Sequence, residues 1–320
     1  MIPWNKTTPQ NLLSAQNISP FPRPQKLSEY PIPEDIPQKR KKTLKKALDW
    51  IFENTTDLTG TTASEIGEEI MLFYQLYRRA QSQEARDFCR KFIDFRIKQI
   101  VDSGKLNNPT PGETTVFLNV SEIMLKLGLS PFDYKSFINQ KVLTNPEIFN
   151  PGFDIWNISI LERLGFNPPA PLISLIPDSS IVEEFQSGNL IHLLDYQGTD
   201  IILIRALFSD IIHEIFPLTD FGETPLMMIT PDQTEFLKYL IAKGIIYFIG
   251  ADDLDTLGEL LICANMIDIN DQSLLEVACQ FIIDNQTTEG SFGEIQRFIQ
   301  MGRSNASRHT VYVAVWAMIL

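Results

Sequence analysis

Thr310-Val-Tyr-Val-Ala-Val-Trp-Ala-Met-Ile-Leu320 has helical length and no polar stripe, so as a helix it has no face to turn to water and needs packing partners all round. Upstream of it, apolar residues recur at three- and four-residue spacing, as in Leu44, Leu48, Ile51, Phe52 and again Ile66, Ile70, Phe73, Tyr74, Tyr77. That spacing is helical, and alternating strand patterns are scarce. Pro, Gly, Thr, Asn and Asp punctuate the chain into helical segments that pair as 43–54 with 62–80, 84–102 with 112–127, 131–142 with 150–164, 178–189 with 199–215, 231–247 with 252–266 and 272–286 with 306–319. The first members start 41, 47, 47, 53 and 41 residues apart, a helix-pair period in the forties that marks an α-repeat. An open repeat array needs polar caps at both ends, which the apolar final helix denies. The second members are also richer in apolar residues than the first, Ile201–Leu207 and Leu257–Ile262 against Arg90–Gln99. The expected fold is therefore all-α, an (α/α)6 toroid of about six hairpins with inner helices sheathed by outer ones, over residues 43–320.

Residues 1–42 hold eight of the 20 prolines, a spacing that forbids regular helix or central strand, so they are expected to form an extended arm. The arm closes on Lys39-Arg40-Lys41-Lys42 with Lys45-Lys46. This basic run reads either as a solvated first helical turn or as a docking patch for an anionic surface or a protein partner.

With 44% hydrophobic and 21% charged residues the chain is globular. Forty acidic against 27 basic residues, a net charge of -13, argue against a nucleic-acid binder. Cys89, Cys263 and Cys279 are odd in number and lack framework spacing, which fits a reducing cytoplasm. The longest nearly apolar run, Leu240–Ala251, is broken by Lys243 and is too short for a membrane span, and the first residues lack the order of a signal peptide. Gly-rich phosphate loops, Cys-X-X-Cys, Gly-X-Ser-X-Gly and His-Glu-X-X-His are absent from the sequence.

Phe281-Ile-Ile-Asp-Asn-Gln286-Thr-Thr-Glu-Gly290-Ser-Phe292 resembles the QW repeat of squalene and oxidosqualene cyclases, with Phe292 where the repeat has Trp and Val277 where it has a basic residue. Protein prenyltransferase β subunits and other α/α toroids carry a related Gln-to-Gly element between an outer and an inner helix. Gln286 is then expected to cap the outer helix, Gly290 to take the left-handed turn conformation and Phe292 to pack under the next helix. The resemblance implies the toroid fold over a 16-residue match and does not by itself imply a reaction.

Parallel inner helices would ring one mouth of a central cavity with their amino termini. The register places there Thr61, Thr62 and Glu65; Glu113, Thr114 and Thr115; Phe153 and Asp154; Thr199 and Asp200; Asp252, Asp253 and Asp255; and Arg308 with His309. Acid in a first helical turn is also favourable without any function. The densest acid cluster in an apolar context is Asp252-Asp253-Leu-Asp255 with Glu259, and Asp255 and Glu259 share a helical face. With His309 on the neighbouring helix, Asp253, Asp255 and Glu259 form the candidate catalytic set, able to divide acid and base roles. Arg308, Tyr312, Trp316 and Asp200 are candidate substrate-binding residues. Arg308-His-Thr-Val-Tyr312 resembles the prenyltransferase segment that supplies a zinc-binding His, which would make Asp253, Asp255 and His309 a site for a divalent metal, Zn or Mg, without the thiolate ligand; a metal-free polar site is the other reading. His213 and Asp220, in His213-Glu-Ile-Phe-Pro-Leu-Thr-Asp220-Phe-Gly222, are a loop alternative expected at the opposite mouth, about 20–25 Å away at 1.5 Å per residue. Pro217 is expected to stop the preceding helix.

These readings converge on an enzyme whose largely apolar cavity takes a hydrophobic small molecule, isoprenoid or acyl, for biosynthetic cyclisation or group transfer. The alternative is a non-catalytic helical scaffold that docks a partner through the arm.

Overall fold

A computed structural model describes residues 21–24, 26, 29–54, 63–144, 154–169, 179–196, 200–226, 229–292 and 306–320. Among the described residues there are thirteen α-helices, no strand, and an isolated β-bridge between Gln286 and Phe292. In chain order the helices are α1 (Gln38–Asn54), α2 (Ala63–Arg79), α3 (Gln83–Asp102), α4 (Pro111–Leu127), α5 (Tyr134–Phe137, running on as a π-helical stretch to Val142), α6 (Asp154–Arg163), α7 (Ser180–Ser187), α8 (Asn189–Asp195), α9 (Ile201–Leu218), α10 (Pro231–Ala251), α11 (Leu254–Met266), α12 (Gln272–Asp284) and α13 (Ala306–Ile319). Among the described residues no helix is long and apolar enough to cross a membrane.

Local chemistry sets the boundaries. α4 and α10 begin with the same device: Thr110 and Thr230 are N-caps, Pro follows at the first helical position, and Glu113 and Gln233 complete capping boxes. The threonine hydroxyl accepts from one orphan N–H while the acid or amide side chain accepts from the cap's own, and Pro there removes an N–H that had no partner. The expected outer helix over 178–189 is α7, which ends at Gly188 (φ 65°), and a further short helix, α8, follows it. Pro217 does not stop α9, which continues to Leu218; in the last turn the ring breaks a ladder that is ending anyway.

Six alternate helices pack in a cycle: α2 on α4, α4 on α6, α6 on α9, α9 on α11, α11 on α13 and α13 back on α2. These are the second members of the pairs. The others lie against them, α3 on α2, α10 on α11, and both α1 and α12 on α13. α13 is buried from Val311 through Ile319, as its uninterrupted apolar surface demands. It approaches α11 so closely that a Cβ on Gly258 would lie 2.6 Å from Val313 Cγ1.

The Gln-to-Gly element joins the last pair to the first. Gln286 Nε2 donates to the carbonyls of Thr43 in α1 (2.9 Å) and Gly290 (3.1 Å), so it bridges to another helix; Asn285, not Gln286, caps the end of α12. Gly290 has φ 104° and sits against the Lys46 carbonyl, and Phe292 is buried.

α1 begins at Gln38, so Lys39–Lys42 form its first turns instead of ending the arm. Of the arm, residues 1–20 lie outside the described residues. Phe21 packs edge-on to Phe88 and Phe92, 5.4 and 5.1 Å between centroids, and buried Tyr30 hydrogen-bonds Asp49.

Candidate functional site

The six cyclically packed helices enclose a cavity of about 460 Å³. Each long helix turns one face inward at three- or four-residue spacing: Arg205, Ser209, His213 and Phe216 on α9; Asp255, Glu259 and Ile262 on α11; His309, Tyr312 and Trp316 on α13; Glu68 and Met71 on α2; Thr115 and Asn119 on α4. That is how a helix presents one face. Along α2, α9, α11 and α13 the series begins with a charged residue near the amino terminus and ends with an apolar one, so the cavity is graded from a polar mouth to an apolar floor.

Trp156, Phe216 and Trp316 line the deep end, and Phe221 packs beneath, its centroid 5.4 Å from Trp156 and 6.3 Å from Trp316. Under that floor lies an ion network. Lys126 reaches Asp220 (2.8 Å) and Glu223 (2.8 Å), Arg163 grips Glu122 with two hydrogen bonds (2.6 and 3.0 Å) and comes within 3.3 Å of Asp220, and Arg78 donates to the Phe221 carbonyl at 3.1 Å. Asp220 and Phe221 both have positive φ, 47° and 54°, and this network holds them there. Asp220 therefore seals the far end and does not line the cavity, which corrects its place in the loop alternative.

His309 is the centre of the mouth. Its Nδ1 lies 3.1 Å from Glu68 Oε2 and its Nε2 3.1 Å from Glu259 Oε1, with Asp255 at 3.8 Å. Burial pulls its pKa down, but the Asp255 and Glu68 charges and the hydrogen bonds to Glu259 and Glu68 outweigh it and hold the ring well above the ordinary value. His309 is thus an imidazolium at neutral pH, donating through both nitrogens. Asp255 also accepts from Thr310 Oγ1 (2.9 Å) and pairs with Arg205.

His213 faces the same cavity. Burial lowers its pKa, against a smaller opposing effect of Glu259, so it is neutral; its ring meets Trp156 edge-on at 5.8 Å. The expectation of opposite mouths is corrected: His213 lies only two turns below Arg205, about 12 Å at 1.5 Å per residue, and the cavity reaches that deep.

Of the other expected residues, Glu259, Asp255, Tyr312 and Trp316 line the cavity and Asp253, Arg308 and Asp200 do not. Asp253 is the N-cap of α11, accepting from Thr256 N–H and Oγ1 (both 3.2 Å) and facing Arg205 at 3.7 Å; burial raises its pKa against Arg205's charge. Arg308 donates to the Asn54 carbonyl and lies 3.9 Å from Glu65. Asp200 caps α9 through the Ile202 N–H. Asp253, Asp255 and His309 therefore do not form a metal set: Asp253 is spent on its cap, both nitrogens of His309 face carboxylates, and no group of three or more metal-holding side chains converges among the described residues. Thr61, Thr62, Phe153, Thr199 and the side chain of Asp154 lie outside the described residues.

Glu68 and Arg205 were missed in the sequence. Glu68 stands one turn beyond Glu65, which had been placed at the mouth, and an acid at that spacing shares its face. Arg205 is the lone cation in the apolar run Ile201–Leu207.

A pH dependence follows. Folding raises the His309 pKa, so the stability it contributes is full below the ordinary value of 6.5 and is lost as pH rises through the raised one. Thermal melts from pH 6.5 upward are expected to show a falling midpoint, with the slope reduced in His309→Gln. A wild-type profile matching that of the variant would mean that His309 is not held as a cation.

A family model described as a domain of unknown function (DUF6895) matches residues 210–317, a stretch that carries His213, Asp255, Glu259 and His309 but neither Glu68 nor Arg205. Comparison with curated proteins and with solved structures gives no match.

Proposed function

We propose that the chain is an (α/α)6 toroid, similar in kind to squalene and terpene cyclases and protein prenyltransferase β subunits, and that it is a cytoplasmic biosynthetic enzyme binding a hydrophobic small molecule, isoprenoid or acyl, for cyclisation or group transfer. The cyclic packing of six alternate helices and the Gln286 bridge from the last pair to the first support the fold. One observation carries the function: two imidazoles line one apolar-floored cavity in surroundings that push their pKa values in opposite directions, carboxylates raising His309 and burial lowering His213. Environments that push two titratable groups apart assign acid and base. His309, held as a cation by Glu68, Asp255 and Glu259, is the proton donor or charge stabiliser; His213, buried and neutral beside Trp156, is the base. The aromatic floor holds the apolar part of the substrate.

A non-catalytic scaffold is the second reading, favoured by the full engagement of His309 between two carboxylates. Incubation with a metabolite extract separates the two. The wild type is expected to convert one hydrophobic metabolite into a product seen by mass spectrometry, and His309→Gln and His213→Gln each to abolish conversion while melting cooperatively. No conversion by the wild type, or a ligand that it binds and releases unchanged, would favour the scaffold; conversion that survives in both variants would overturn the roles given to the two imidazoles.

A further inference from the structure

We infer that the ligand of this cavity is a small amphiphile with a cationic polar end, an alkylammonium, seated with its charge at Glu68, Asp255 and Glu259 and its chain toward Trp316. The inference rests on the reading of the cavity as a ligand site.

Charge at the mouth decides the sign. Three carboxylates line the cavity against two cations, Arg205 and His309. Both cations are already engaged, Arg205 with Asp255 and Asp253, His309 with Glu68 and Glu259, so an incoming phosphate or carboxylate would have to break an ion pair while facing three like charges. An ammonium meets no such barrier, because an ionised carboxylate has about four acceptor positions and His309 takes one from each glutamate. Helix amino termini attract anions through free N–H groups, but here Thr110, Asp200 and Asp253 of the chain itself already cap α4, α9 and α11.

The walls point the same way. The rings of Trp156, Phe216 and Trp316 at the deep end give the chain of the amphiphile an apolar seat. Thr115 Oγ1, on a lining residue that is only 6% exposed, has no hydrogen-bond partner and can accept from an ammonium N–H. Buried polar groups are normally met, so the wall carries a demand that a bound molecule's heteroatom can satisfy. At ~30 Å³ per water-sized group, 460 Å³ holds about fifteen non-hydrogen atoms, the size of a ten- to twelve-carbon chain with its headgroup.

The test is calorimetric titration of the full chain at neutral pH with decylamine, 1-decanol, decanoate and decyl phosphate, each below its micellar concentration. The amine is expected to bind about 10-fold tighter than the alcohol, and both anions more weakly than the alcohol. Glu68→Gln and Glu259→Gln are each expected to cost the amine about 10-fold and to leave decanol unchanged; Glu68 is partly exposed, so its variant is the safer for folding. Tighter binding of either anion than of the amine overturns the charge assignment and leaves the cavity a ligand site. Amine affinity that is unchanged in both variants overturns it too. If no probe binds, or if Ser209→Phe, which fills the middle of the cavity, leaves decanol affinity intact, the ligand-site reading falls and this inference with it.

Discussion

Arg96→Met is expected to lose about 3–5 kcal/mol of stability, because it strands a buried carboxylate. Glu69 on α2 and Arg96 on α3 form an ion pair in which neither side chain is more than 1% exposed, and Arg96 Nη1 also donates to Gln99 at 2.7 Å. Without the guanidinium, Glu69 loses its ion pair with Arg96 at a site where its side chain is fully buried. The same acid lies behind the cavity wall, where burial first and the charge of Glu69 next push the Tyr312 hydroxyl far above its ordinary pKa. Urea melts followed by circular dichroism give the loss directly. The double variant Arg96→Met with Glu69→Leu is expected to recover most of it, since replacing both members of a buried pair by apolar groups is often neutral. A single-variant loss below about 1 kcal/mol, or no recovery in the double, would show that the pair is hydrated.

Gly290→Val is the second large effect, about 2–5 kcal/mol from backbone strain and overpacking together. Gly290 has φ 104°, and a Cβ there would lie 2.4 Å from the Lys46 carbonyl oxygen and 2.9 Å from its carbon. The obstacle is helix backbone, which cannot rotate aside as a flexible side chain would. Gln286→Leu, which removes only the hydrogen bonds to Thr43 and Gly290, is expected to cost about 1 kcal/mol. Equal midpoints for these two variants would mean that the turn moves freely and that the contact between the last and first pairs is not tight.

The order of helices was legible because their ends are written in short-range chemistry. Thr110-Pro111-Gly112-Glu113 and Thr230-Pro231-Asp232-Gln233 each announce a start, and the apolar spacing separates inner from outer members. The site was legible in part for the same reason: Asp255, Glu259 and His309 sit in first or second turns, where register is reliable. Direction was harder. Asp253 and Asp255 both face Arg205, but the nearer to the helix start is the cap and only the other lines the cavity. Glu68 and Glu69 are adjacent, yet one enters the cavity and the other pairs outward with Arg96. The depth of the cavity, which brings His213 into the same space as His309, depends on side-chain volumes from six helices and is not written in any one of them.

The hydrogen bond between His309 and Glu68 spans 241 positions of the chain, and it sets a schedule. During synthesis α2 leaves the ribosome long before α13, so its inward flank, Glu68 included, waits without its neighbour while most of the remaining helices are made. Non-local contacts of this span are slow to form and leave apolar surface open to wrong partners in the meantime. Nascent chains halted before α13 are therefore expected to be the form that chaperones hold, and the charged mouth comes into being only as a late event in the life of each molecule.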